Sequence, residues 1–314
     1  MLEIIHDCDP GIDDAIAILL IMKTGGVNVK AIITVAGNVP VYKAAMNVFK
    51  ILSLLGEENR IKVGVGSDKP LLRPLQTAEY YHGPDGLGDT EHLFQNLKIE
   101  ELMEATYPGI ELMIKTIIDS TRPVTIITTG PLTNLAKAIS TEPRIIPKVE
   151  RVVSMGGAIA VPGNITPYAE FNIYTDPEAA HQVLHSGLPI TLVPLDVTMK
   201  TYLTRKELLD IKKRETALTE FVCRSIGYGI GLCQKTSKGK FYLHDPLAAG
   251  VAVDETLIKG SELGHLDVER SDEKTLGRTY FHKSTGPCLS PTIKVIRDID
   301  SGRFVEELIK SLKG

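Results

Sequence analysis

Residues 7–14 read Asp7-Cys8-Asp9-Pro10-Gly11-Ile12-Asp13-Asp14, so four carboxylates fall within eight positions, divided by a Pro-Gly turn. Like charges this close repel one another, and a fold that gathers them needs a cation or a shared proton. Hard cations such as Ca²⁺ and Mg²⁺ take oxygen ligands, which carboxylates supply, and the same groups can work as acid or base. The plainer explanation is a helix start, because Asp caps N-termini and acidic residues suit the first turn. Capping accounts for one or two of the four.

Other polar clusters share one placement, directly after an apolar run. They are Ala36-Gly37-Asn38, then Thr128-Thr129-Gly130-Pro131-Leu132-Thr133-Asn134, then Met155-Gly156-Gly157 followed by Asn164 to Asn172. Asn164, Glu170 and Asn172 could each be turn residues. Three such groups around Phe171 are better explained as hydrogen-bond partners of a polyhydroxylated ligand. Gly130-Pro131 suits a helix start with Pro near the first position. Asp176-Pro177 reads as a plain cap, whereas Asp245-Pro246 is preceded by His244 and by a Gly-rich stretch. His82, within His82-Gly83-Pro84-Asp85-Gly86, carries little weight alone.

Strands must aim these clusters. Val- and Ile-rich runs predict strands at Leu2–His6, Val29–Val35, Val124–Thr128, Arg151–Met155 and Ile190–Pro194. Their near-continuous apolar character suits strands buried on both faces. Amphipathic segments predict helices at Asp13–Thr24, Val41–Leu55, Ile110–Ser120, Leu132–Ser140, Pro177–Ser186 and Arg205–Glu215. The alternation predicts an α/β fold, an open, mostly parallel, Rossmann-like sheet flanked by helices. Ligands of such sheets bind outside the carboxyl ends of the strands, so the clusters should converge there. Residues 66–90 and 225–243, rich in Gly and Pro, read as irregular loops, and 255–300 as a strand-rich segment.

The 314 residues and 43% hydrophobic content allow a large core, and α/β folds of this length are often one domain. A net charge of −4 argues against nucleic acid as a partner. The run Ala15 to Met22 is too short to span a bilayer, so no membrane partner is expected. Cys8, Cys223, Cys233 and Cys288 are scattered, which suits a reducing, cytoplasmic setting.

Taken together in order, these motifs resemble the Ca²⁺-dependent nucleoside hydrolases, of the inosine-uridine preferring type. Residues 7–14 match the family's opening D-x-D-x-G-x-D-D at every fixed position. Ala36-Gly37-Asn38, Thr129 to Asn134, Asn164 through Glu170-Phe171-Asn172, and His244-Asp245-Pro246 match further motifs, and the similarity covers nearly the whole of 1–314 as a single domain. The resemblance implies cleavage of the N-glycosidic bond of ribonucleosides and Ca²⁺ as cofactor. It implies Asp9, Asp14, Asp245 and the backbone carbonyl of Thr129 as metal ligands, with Asp9 also the general base for a water on the ion. Asp13, Asn38, Asn164, Glu170, Phe171 and Asn172 are implied as substrate contacts, with Met155 close by. His244 is implied as donor to the departing base, assisted by His82 on a mobile loop. A homodimer or homotetramer and a role in nucleobase salvage are implied as well.

A histidine at position 244 resembles the inosine-uridine and cytidine-uridine groups. The stretch 225–234 matches neither pattern plainly, so pyrimidine or inosine preference stays open, with Tyr228 and Gln234 as candidate base contacts. Free nucleosides are favoured over nucleotides because no G-x-x-x-x-G-K-[ST] loop is present. Three other functions fit these residues less well. A haloacid dehalogenase-type phosphatase gives Asp13-Asp14 no role. A Rossmann dehydrogenase needs a G-x-G-x-x-G after the first strand. A Ca²⁺-dependent nucleoside or sugar binder without catalysis would have no need of both Asp9 and His244.

Overall fold

The computed structural model describes residues 1–232, 239–284 and 293–313. Its strands are β1 (Leu2–Cys8), β2 (Val27–Thr34), β3 (Val63–Val65), β4 (Tyr107–Pro108), β5 (Val124–Thr128), β6 (Val149–Met155), β7 (Ile190–Val193), β8 (Tyr202–Leu203), β9 (Phe241–Tyr242), β10 (Ile258–Val268), β11 (Thr279–Lys283) and β12 (Ile293–Ile299). Its helices are α1 (Ile12–Lys23), α2 (Val41–Ser53), α3 (Glu79–His82), α4 (Ile99–Glu104), α5 (Gly109–Asp119), α6 (Thr133–Thr141), α7 (Phe171–Thr175), α8 (Pro177–Leu184), α9 (Leu195–Thr198), α10 (Arg205–Lys212), α11 (Ala217–Leu232), α12 (His244–Val253) and α13 (Ser301–Lys313).

Ten strands form one sheet in the order β11-β10-β12-β7-β6-β5-β1-β2-β3-β4. Pairing is parallel from β12 to β4, and β10 runs antiparallel to both of its neighbours. Alternate strand residues feed two cores. Ile4, Ile32, Ile127 and Val153 join one with α1, α2, α11, α12 and α13. Ile5, Ile33, Ile126 and Val152 join the other with α5, α6 and α8. Burial on both faces is why these strands read as unbroken apolar runs. The predicted strands and helices are all present, with ends that differ by at most three residues.

The chain leaves β1 for β2, then returns across it to β5, so the strand order reverses between β1 and β5. Open α/β sheets place their ligand crevice at such a switch point. The acidic motif follows β1, and Thr129 to Asn134 follows β5, on the two sides of it.

One expectation needs correction. Residues 225–232, read as irregular, belong to α11. A Cβ at Gly229 would come within 2.7 Å of the Phe241 ring, so this glycine lets α11 lie against β9. Gln234, Cys233 and Cys288 lie outside the described residues. The stretch around His82 is held by a set of hydrogen bonds in this structure. The Asp85 carboxylate accepts from the backbone N–H groups of Leu87, Asp89, Thr90 and Glu91. Asn47 Nδ2 donates to the Asp85 carbonyl, and Ser225 Oγ to that of Leu87. No helix among the described residues is long and apolar enough to cross a membrane.

Candidate active site

The site begins where β1 runs into α1. Asp14 is the third residue of the helix, and its Oδ2 accepts from the Gly11 N–H at 3.0 Å, so the capping explanation is correct for this one carboxylate. Asp14 does more than cap: it also accepts from Asn38 Nδ2 at 3.1 Å and from the Thr129 hydroxyl at 2.7 Å. Asp7 is tied away from the others, accepting from Asn134 Nδ2 at 2.8 Å, with burial pushing its carboxyl up to about 7. Asp9 Oδ2 accepts from the Asn38 N–H at 2.6 Å. Its Oδ1, like Asp13 Oδ1, is buried without a protein partner.

Packing of α1 against α12 supplies the fourth member. Both helices start at the same edge, which sets Asp245 near the acidic start of α1. Asp13, Asp14 and Asp245 each bring a carboxylate oxygen within 4.8 Å of the other two. Burial raises all of these carboxyls. Asp13 is pushed to about 7 with Asp14 adding repulsion, and Asp9 and Asp245 go well above their ordinary range. Asp13 and Asp245 are within hydrogen-bond reach, close enough to share one proton.

A cavity of about 330 Å³ opens onto this cluster, a volume typical of small-molecule sites. It is lined by Asp13, Asn38, His82, Thr129, Met155, Asn164, Glu170, Phe171, Asn172, His244 and Asp245. These are the sequence-predicted site residues apart from Asp9 and Asp14, which lie buried against the cavity's acidic end. Among the described residues no Lys or Arg lines it. Unpartnered carboxylate oxygens without a protein counter-charge fit a hard cation. Two glycines make room for Asp9: a Cβ at Gly37 would lie 2.0 Å from Asp9 Oδ2, and one at Gly130 2.8 Å from Oδ1.

The predicted ligand contacts have structural partners of their own. Glu170 caps α7, its two oxygens accepting from the N–H groups of Asn172, Ile173 and Gly157. Asn164 Oδ1 accepts from the Phe171 N–H at 2.9 Å. Asn172 Nδ2 donates to the Thr129 carbonyl at 2.7 Å, leaving that oxygen a second lone pair. His82 Nδ1 accepts from the Ile12 N–H at 3.0 Å, so its ring proton sits on Nε2. Burial, aided by repulsion from His244, lowers His82 to about 3, and burial lowers His244 to about 4, so both are neutral near pH 7.

Three residues escaped the sequence reading. His6 Nε2 lies 2.9 Å from the Thr129 hydroxyl, which donates on to Asp14. That hydroxyl must therefore accept from His6. Thr198 Oγ1 meets His244 Nδ1 at 2.7 Å. Tyr242 lines the cavity and tilts against His244 at 5.8 Å. These contacts span between 2 and 123 positions, and no local signal marks them. Tyr228, a candidate base contact, sits partly buried on α11 against the core and is not among the cavity's lining residues. Asp176, read as a plain cap, does cap α8 through the Ala179 N–H, and it also accepts from the Leu71 N–H and the Thr133 hydroxyl.

Residues 4–306 match the model of the family described as inosine-uridine preferring nucleoside hydrolase. The chain belongs to that family. It is accordingly an enzyme that hydrolyses the N-glycosidic bond of nucleosides. This nucleoside hydrolase is 37% identical over 316 residues to the pyrimidine-specific ribonucleoside hydrolase RihA of Citrobacter koseri, covering 99% of this chain and 98% of that one. A plant nucleoside hydrolase structure superposes with a TM-score of 0.89 at 31% identity, covering 100% of this chain and 99% of the other. A purine-preferring ribonucleoside hydrolase from Gardnerella vaginalis does so with 0.89 at 28%, covering 99% and 98%.

Proposed function

We propose that this nucleoside hydrolase releases the base from pyrimidine ribonucleosides, with Ca²⁺ as its resident ion. The observation that carries the mechanism is the unpartnered, buried Asp9 Oδ1 beside the cluster of Asp13, Asp14 and Asp245. Asp9, Asp14, Asp245 and the Thr129 carbonyl would hold the ion, and Asp13, Asn38, Asn164, Glu170 and Asn172 would grip the ribose, with Met155 and Phe171 against it. When bound, the ion supplies a Lewis acid that lowers the pKa of water and orients hydroxyl groups.

Asp9 Oδ1 takes a proton from the attacking water as its oxygen bonds to C1′ and the C1′–N bond breaks. Positive charge grows on the ribosyl ring in that step, and a carboxylate-rich wall stabilises it. The base leaves with the bond's electron pair and needs a donor. His244 is neutral, so it stabilises the departing base through an imidazole N–H hydrogen bond, and the proton that water gave to Asp9 returns to the base by way of solvent. If the Thr198 hydroxyl donates to Nδ1, the ring proton is on Nε2. His82, with its proton on Nε2, assists from the same cavity.

The greater identity to the pyrimidine-specific relative supports the choice of base, and inosine is the second reading because a purine-preferring structure also superposes closely. We further propose a cytoplasmic role in nucleobase salvage, residues 1–314 as one domain, and a homodimer or homotetramer, all on the family resemblance. The test is ribose release from uridine, cytidine, inosine, adenosine and guanosine, with Ca²⁺ and after stripping with EGTA. Metal-dependent release ranked uridine and cytidine first is expected. Release unaffected by EGTA would overturn the assigned ion, and a purine-first ranking would overturn the base preference.

A further inference from the structure

Apart from the carboxylate cluster, the described residues hold a second group of metal-ligating side chains, His181, His185 and Asp267, with ligand atoms all within 4.8 Å of one another. His181 lies on α8 and His185 is the residue that ends it, four positions on, so the two share a helix face. Their rings lie 4.2 Å apart between centroids, tilted by 38°. Asp267 comes from β10 and meets His181 Nδ1 at 2.9 Å through Oδ1. His185 Nδ1 lies 2.8 Å from the His181 carbonyl. A carbonyl only accepts, so His185 carries its proton on Nδ1 and presents the Nε2 lone pair. The catalytic reading uses none of these residues.

We propose that His181, His185 and Asp267 form a surface site for a divalent transition ion of the zinc class. Two imidazoles and a carboxylate suit Zn²⁺, Ni²⁺ or Cu²⁺, whereas Ca²⁺ and Mg²⁺ prefer all-oxygen shells such as the one in the cavity. Tetrahedral zinc with bonds of about 2.0–2.1 Å spaces its ligand atoms about 3.3 Å apart. The 2.9 Å between His181 and Asp267 opens to that with a shift of a few tenths of an ångström. The ion enters between them, His181 binding through Nδ1 with its ring proton moved to Nε2, and His185 binding through Nε2. Water completes the shell, because His185 is exposed and the Asp267 side chain half-exposed.

The frame behind these ligands is fixed. Leu266 and Val268 on β10 and Val183 and Leu184 on α8 are buried in the same core. The negative end of the α8 dipole also favours a cation at His185. Bound there, the ion clips the end of α8 to β10, the antiparallel part of the sheet.

The test titrates Zn²⁺ by calorimetry, and Co²⁺ by its visible absorption, into full-length protein held in excess Ca²⁺ so that the carboxylate cluster is occupied. About one equivalent should bind, and Zn²⁺ should raise the melting temperature. His185→Ala should weaken binding by about 10-fold or more, since even the loss of a partner outside the coordination shell costs about 10–100-fold. His181→Ala combined with His185→Ala should abolish both effects while leaving Zn²⁺-free nucleoside hydrolysis unchanged, and Asp267→Asn gives a second, milder probe. Equal Zn²⁺ affinity in the double variant, or no binding to the parent protein at millimolar Zn²⁺, would leave only a His181–Asp267 ion pair and overturn the proposal.

Discussion

Thr198 Oγ1 lies 2.7 Å from His244 Nδ1, the threonine buried and the histidine partly so, where α9 meets the start of α12. The contact fixes the orientation of the imidazole and, when the hydroxyl donates, its tautomer. Thr198→Val keeps the shape and removes the hydroxyl. The expected loss is about 10-fold in kcat on uridine, in line with about 1.4 kcal/mol for one hydrogen bond. KM should change little. On p-nitrophenyl riboside, whose leaving group needs no donor, the loss should nearly vanish. Equal losses on the two substrates would mean that Thr198 acts on the fold and not on His244.

Asp9 has one oxygen held by the Asn38 N–H and the other without a protein partner. Asp9→Asn keeps the size and removes the base. A drop in kcat of about 10²–10⁴-fold is expected on every substrate, good leaving groups included. That pattern separates it from Thr198→Val. Rates on uridine within a few-fold of the parent would sink the assignment.

The glycine beside Asp9 gives a related expectation. A Cβ at Gly37 would lie 2.0 Å from Asp9 Oδ2, well inside any real contact. Gly37→Ala should therefore displace the carboxylate and weaken Ca²⁺ as well as kcat. Calcium titration of the variant by calorimetry should show at least a 10-fold loss of affinity, about 1.4 kcal/mol. An unchanged affinity would mean that the backbone moves aside instead.

How much of this was legible in the sequence differs residue by residue. The acidic motif was readable because four carboxylates in eight positions exceed what one helix cap can use. Alternating burial into two cores made β1, β2, β5, β6 and β7 readable as apolar runs. The α11 helix was not, because Gly227, Gly229 and Gly231 signal a loop, and only the Phe241 ring, far along the chain, explains Gly229. His6 and Thr198 were hidden for the same reason: each acts through a partner at least 46 positions away. His82 was underrated because its hydrogen bond to the Ile12 N–H depends on a fold that brings residue 82 to the start of α1.

Asp176 holds three donors at once, the N–H groups of Ala179 and Leu71 and the hydroxyl of Thr133, at 3.0, 2.8 and 2.6 Å. Asp176→Asn replaces one acceptor oxygen by an NH₂ facing donors. The expected cost is about 1–3 kcal/mol of stability, read from urea unfolding. The rate per folded molecule should be retained, since Asp176 does not line the cavity. A variant as stable as the parent would return Asp176 to a simple cap.

Acid sensitivity follows from the buried histidines. Burial lowers His6 to about 3, His82 to about 3 with repulsion from His244, and His244 to about 4, from an ordinary 6.5. The unfolded chain takes up these protons first as pH falls below 6.5, while the folded chain stays neutral until about 3–4. Each histidine therefore contributes stability that is whole above pH 6.5 and is lost as pH falls toward its folded value, about 2 kcal/mol by pH 5. The raised carboxylates act in the opposite direction in metal-free protein, so the measurement is made in saturating Ca²⁺, which holds them ionised. His82→Gln keeps an acceptor for the Ile12 N–H but cannot titrate. Between pH 7 and pH 5, the variant should lose about 2 kcal/mol less stability than the parent in urea unfolding. Identical losses would show that His82 is not buried in its neutral form.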